Sequence, residues 1–226
     1  MDETKPILML LSFSREGPIA WIAHLDLMRC FERAFRRAGL PLRWSQGFNP
    51  RPSLVFALPL GVGLECEADL LEIELCEEIP VETLPGKLNA QLPQGLRINK
   101  ACLLEAHTKS LMNLVEEAVY RFSARGAGLA WKKLAAKAEA GEEILVERKS
   151  KGKIRQVSLF SSILAWEVLS DDEFRLRVKA GSRENLRPDL CLQALKNQSF
   201  ISPDDADDAR IIREKLILSE FCSNGV

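Results

Sequence analysis

Clustered thiols, long apolar runs and net charge are all missing from this sequence, and each absence excludes a class of function. No two of the six cysteines, at positions 30, 66, 76, 102, 191 and 222, stand in a CxxC spacing. Structural zinc and iron–sulfur sites need closely spaced ligands, because a short loop must bring the thiolates within bonding distance. No metal or other cofactor is therefore expected, and the cysteines read as buried free thiols rather than disulfides. No apolar run approaches the roughly 18–20 residues that span a bilayer. The polar, acidic start and the short apolar run at 7–11 fit no signal peptide, so a cytoplasmic location is expected. The 31 lysines and arginines nearly cancel the 32 acidic residues, for a net charge of −1. Attraction for a polyanion must then come from a local patch.

A hydrophobic content of 46% with 28% charged residues is that of a globular protein, and 226 residues suffice for two domains of about 100 residues each. Alternation over 6–23, broken at Glu16-Gly17-Pro18, predicts an interrupted strand. From 24 to 38 the period changes: Leu25, Met28, Phe31, Phe35 and Ala38 predict an amphipathic helix buried on that face, stopped by Gly39 and Pro41. Pro50 and Pro52 exclude a continuous strand, so 45–53 reads as a loop leading into a strand from 54. A strand at 69–75, a helix at 81–91 and a strand at 96–104 complete a βαββαβ order.

After a connection at 106–113 the order returns: strand 114–123, helix 129–140, hairpins at 144–159 and 163–179, helix 190–197 and strand 209–220. The expected fold is α+β, with two tandem ferredoxin-like domains at 6–105 and 114–220 joined by a linker at 106–113. The second domain carries an additional hairpin.

The helix at 24–38 bears Arg29, Arg33 and Arg37 at four-residue steps, a stripe turned away from the apolar face. Arg36, Arg43 and Arg51 add to it, against only Asp26 and Glu32 between 24 and 52. The loop supplies Trp44, Gln46, Phe48 and Asn49. Arginine forks suit phosphate, rings stack on bases, and amides read base edges, which is how single-stranded RNA is recognised. A second basic run, with Lys149, Lys151 and Lys153 around Gly152, reads as a hairpin tip reaching toward phosphate. The bland alternative for the first patch is a solvated arginine face with Trp44 and Phe48 in the core, and for the hairpin charges that only protect an edge strand. His24, at the strand-to-helix junction, could act as a general base or a phosphate ligand, or equally cap the helix or bond to Asp26. Gly61-Val62-Gly63 reads as a turn, and the acidic run at 204–208 as a solvated connection.

One long block carries a resemblance: Gly17-Pro18, His24-Leu-Asp-Leu-Met28, Phe31-Glu-Arg-Ala34, Arg36-Arg-Ala-Gly39-Leu-Pro41, Ser45-Gln-Gly-Phe-Asn-Pro50 with Pro52, and Ala57-Leu-Pro-Leu-Gly-Val62. It resembles the radical-SAM-linked family of uncharacterised bacterial domains, found fused to, or encoded beside, cobalamin-type radical SAM proteins. The resemblance implies a radical SAM protein as partner and supplies no reaction. The chain itself lacks the CxxxCxxC of a radical SAM enzyme. The expected function is thus that of a non-catalytic accessory and substrate-recognition protein of a radical SAM enzyme, binding RNA through the basic, aromatic surface. The alternatives are a metal-independent endoribonuclease using His24, and a module that docks only on protein.

Overall fold

The computed structural model describes residues 6–104, 110–150 and 152–219. It is α+β, and its contacts divide into two compact units, 1–116 with 215–226, and 117–214. Among the described residues no helix is long and apolar enough to cross a membrane. Of the linker expected at 106–113, residues 106–109 lie outside the described residues; Leu111–Leu114 form a single helical turn, α3.

In the first unit the chain runs β1 (Ile7–Arg15), α1 (His24–Arg37), β2 (Leu54–Phe56), β3 (Glu65–Leu75), α2 (Leu84–Asn89) and β4 (Leu96–Leu104). The strands lie side by side as β4-β1-β3-β2, all antiparallel, with Leu11 opposite Leu71 and Phe56 opposite Leu71 on its other side. Alternation puts Met9, Leu11 and Phe13 on the inner face of β1, where they meet Leu27, Phe31 and Phe35 of α1. The rings of Phe13 and Phe31 cross edge to face at 5.1 Å, and Phe56 closes the cluster at 5.7 Å from Phe31.

Two sequence expectations are corrected here. Residues 17–21 do not resume a strand but form a 3-10 turn, because Gly17 adopts φ +67° and Pro18 opens the turn. Leu25 is not core: it is 60% exposed, and the buried face begins at Leu27 and continues through Phe31, Ala34 and Phe35. Leu25 lies about 200° round the helix from Leu27, so the two cannot share a face. The end of α1 follows the sequence signal. Gly39, at φ +68°, donates to the Arg36 carbonyl at 3.1 Å and Leu40 to that of Phe35 at 3.1 Å, the paired bonds of a Schellman stop.

The second unit contains α4 (Ala127–Glu139), β6 (Leu145–Ser150), β7 (Lys153–Ser158), β8 (Ile163–Val168), β9 (Glu173–Lys179), α5 (Asp189–Asn197) and α6 (Pro203–Asp207), with all but the first two residues of β5 (Val115–Ser123) and the first five of β10 (Arg210–Leu218). Its strands are ordered β10-β5-β9-β8, while β6 and β7 pair only with each other. Trp131 of α4 is fully buried, stacked at 4.6 Å on Phe174, which stacks in turn at 4.5 Å on Phe122. The helix starts two residues before the expected 129. Its first turn is capped from the β8–β9 turn, where Asp172 Oδ1 accepts from Gly126 N at 2.6 Å and the Asp171 carbonyl accepts from Leu129 N at 3.1 Å.

All five described cysteines are free thiols. Cys66 and Cys191 are buried, with burial pushing the Cys191 thiol far up, but Cys76 is exposed, against the expectation of uniform burial. Cys222 lies outside the described residues.

Candidate nucleic-acid interface

The loop expected at 45–53 is the arch of a short ladder. Arg43 N donates to the Glu74 carbonyl at 2.8 Å, anchoring the arch to β3, and Ser53 N donates to the Arg43 carbonyl at 2.9 Å. Higher up, Trp44 and Pro52 face each other across a bridge. Ser45 N donates to the Arg51 carbonyl at 2.8 Å, and Arg51 N to Ser45 Oγ at 3.0 Å. Above these bonds, Gln46, Gly47, Phe48, Asn49 and Pro50 are all exposed, and the Phe48 ring is wholly in solvent. Gln46 and Asn49 make no hydrogen bond among the described residues, so both amides face water.

The arginines separate by role. Arg36, which lies off the four-residue stripe, sits over the Trp44 ring at 5.3 Å, a cation–π contact that covers one face of the indole. Arg33 and Arg51 are exposed cations whose side chains have no partner among the described residues. Arg29 pairs with Asp26 at 2.9 Å in an exposed bridge of little energetic weight. Arg37, read from sequence as a pure surface residue, is a tether: its Nε donates to Gln91 Oε1 at 3.2 Å and its Nη2 to the Gln91 carbonyl, joining the end of α1 to the segment after α2. Lys149 and Lys153 are exposed on the β6–β7 hairpin of the second unit, and Lys151 lies outside the described residues.

His24 opens α1, half-buried, with its ring edge-on to Phe56 at 5.0 Å. Its Nδ1 is buried with no hydrogen-bond partner among the described residues. Burial, and then the Arg15 guanidinium, hold its pKa below the usual 6.5. The sign of the consequence follows. The unfolded chain binds the proton more tightly, so the neutral ring's contribution is present above about pH 6.5 and is lost as pH falls through and below that value. Urea titrations from pH 7.5 to 5 should show stability declining in the wild type, with that part of the decline removed in His24→Asn. An unchanged profile in the variant would count against the assignment.

Arg15 is the residue that sequence reasoning passed over. Fully buried, it donates from Nη2 to the carbonyls of Gly61 at 2.7 Å and Leu64 at 2.6 Å, so the 61–64 turn is pinned to the end of β1. Its signal was alternation: Arg15 falls two residues beyond Phe13, on the inward face of β1. Among the described residues no group of three or more His, Cys, Asp or Glu could hold a metal ion.

Residues 9–188 match the model of a family described as "Uncharacterized protein conserved in bacteria (DUF2344)". The chain belongs to this family. The match spans α1, the arch, the 61–64 turn and the β6–β7 hairpin, so all of the candidate residues named above fall within family sequence. No curated protein matches the chain.

Proposed function

We propose that this family member is a cytoplasmic, non-catalytic recognition protein that binds RNA through the arch of its first unit and presents it to a radical SAM enzyme. The observation that carries the RNA reading is the Phe48 ring, held wholly in water at the top of a hydrogen-bonded arch. Folding gains nothing from an exposed ring, whereas a base stacked on it gains about 1–3 kcal/mol. Exposed Arg33 and Arg51 supply phosphate partners, and Gln46 and Asn49 supply edge-reading amides. Trp44 serves mainly as the platform for Arg36, since one of its faces is already covered.

Two tandem ferredoxin-like domains are the architecture we assign. In support, each unit places its fourth strand beside the first and its third beside the second: β4-β1-β3-β2 and β10-β5-β9-β8, with β6–β7 inserted after the first helix of the second. The motif resemblance supports the radical SAM partner, and co-purification surviving nuclease treatment tests it.

The RNA reading is tested by anisotropy with short single-stranded RNAs over a salt series. Phe48→Ala should weaken binding by roughly 5- to 150-fold, the range of one lost stack. Arg33→Ala should flatten the salt slope by about 0.7, one phosphate contact. Binding that ignores salt, or that survives Phe48→Ala unchanged, would refute it. In that case, retention of the radical SAM enzyme by wild type but not by Arg33→Ala would mark the patch as a protein-docking face.

A further inference from the structure

The β6–β7 hairpin stands outside the sheet of its unit, and its two faces differ sharply in charge. Its base is closed by the bond from Leu159 N to the Ile144 carbonyl at 2.9 Å. Val146, paired with Val157, is buried where β6 packs on α5. Alternation carries that same face outward, and two residues on it places Arg148 directly opposite Arg155, with Lys153 following Arg155. The other face carries Glu147 and Lys149 opposite Gln156 and Ile154. Lys149 thus points away from the cationic cluster.

Directly opposed residues of an antiparallel pair have their Cβ atoms about 4.5–5.5 Å apart, and like charges there are destabilising. A lone two-stranded hairpin is already marginal. Four other arginines of the unit are neutralised: Arg121 and Arg175 meet Glu214, Arg177 meets Glu117 and Arg187 meets Asp189. Arg148 and Arg155 have no hydrogen bond or ion pair among the described residues. We infer that these two guanidiniums, with Lys153 beside them, form a clamp that closes on a single phosphate group of the RNA backbone. Two planar forks at cross-strand spacing can surround one phosphate with parallel N–H donors, turning the repulsion between them into a shared attraction. That the phosphate belongs to RNA rests on the function proposed above; the anion clamp itself does not.

The test uses the full chain as wild type, as Arg148→Gln with Arg155→Gln, and as Lys132→Gln, which removes an exposed lysine of α4. Thermal unfolding with inorganic tripolyphosphate should show stabilisation of wild type and Lys132→Gln and none of the double variant. Without ligand the double variant should melt no lower than wild type, because removing the opposed charges relieves repulsion. In RNA titrations the double variant should bind about tenfold more weakly, with a salt slope shallower by about 0.7. Wild type that ignores tripolyphosphate, a double variant that responds like wild type, or an equal loss in Lys132→Gln would each overturn the clamp. If tripolyphosphate binds through Arg148 and Arg155 but RNA does not bind at all, the clamp stands and the RNA reading fails. If RNA binds equally well to the double variant, the clamp fails and the RNA reading stands.

Discussion

Gly128→Ala should destabilise the second unit by about 3 kcal/mol or more, at the upper end of what overpacking costs. A Cβ at this position would lie 1.9 Å from the Ser170 carbonyl oxygen, 2.8 Å from that of Glu173 and 3.0 Å from that of Asp171. All three are backbone atoms of one turn, so no rotamer change relieves the clash. The turn cannot retreat without cost either, since its Asp172 carboxylate and Asp171 carbonyl cap the start of α4. Withdrawal would strip donors from the helix terminus and loosen Trp131 from Phe174. Chemical denaturation followed by tryptophan fluorescence is the suitable measurement, with Gly141→Ala as the comparison, because nothing lies within 4 Å of a Cβ there. Gly141 has φ +90°, so its substitution carries backbone strain alone, and a Gly128 effect no larger than that would defeat the steric account.

Arg15→Leu should be the second severe change, costing about 3 kcal/mol through the loss of two hydrogen bonds from a charged donor. Its distinguishing readout is at His24. The Arg15 charge helps hold the His24 pKa down, so the leucine variant should let that pKa rise, visible in an imidazole NMR titration. Arg15→Lys separates the two roles. It keeps the positive charge, and therefore most of that electrostatic depression, while its single ammonium replaces a fork that reaches both Gly61 and Leu64. A His24 resonance that titrates identically in wild type and Arg15→Leu would show that burial alone sets its protonation.

Local signals and non-local packing explain which features were readable in advance. The end of α1 was legible because Gly39, Leu40 and Pro41 act within one turn of the helix. The arch was legible because two prolines forbid a ladder strand, whereas the exposure of its tip was not, since an aromatic composition also fits rings packed in the core. Leu25 misled because the three- and four-residue steps of 25, 28, 31 and 35 approximate a helical stripe that the true phase, through Leu27, only partly shares. The start of α4 was hidden because its cap comes from residues 171 and 172, some forty positions away. The hairpin's basic residues were visible, but their allocation to faces was not. That depends on the register that sets Arg148 against Arg155, and composition cannot distinguish that register from a one-residue slip.

The neighbourhood of β5 and β10 has a consequence for the nascent chain. The two strands lie side by side, yet β5 ends at Ser123 and β10 finishes only at Leu218. As the protein emerges from the ribosome, one margin of β5 stays unpaired until some 95 further residues have been added. At roughly 5–20 residues per second that interval lasts about 5–20 s. Throughout it, Val119 and its neighbours offer a hydrogen-bonding template to any other extended segment. Overexpression yields of this protein should therefore depend on translation speed and on chaperones that shield open strand margins, more than on the stability of the finished molecule.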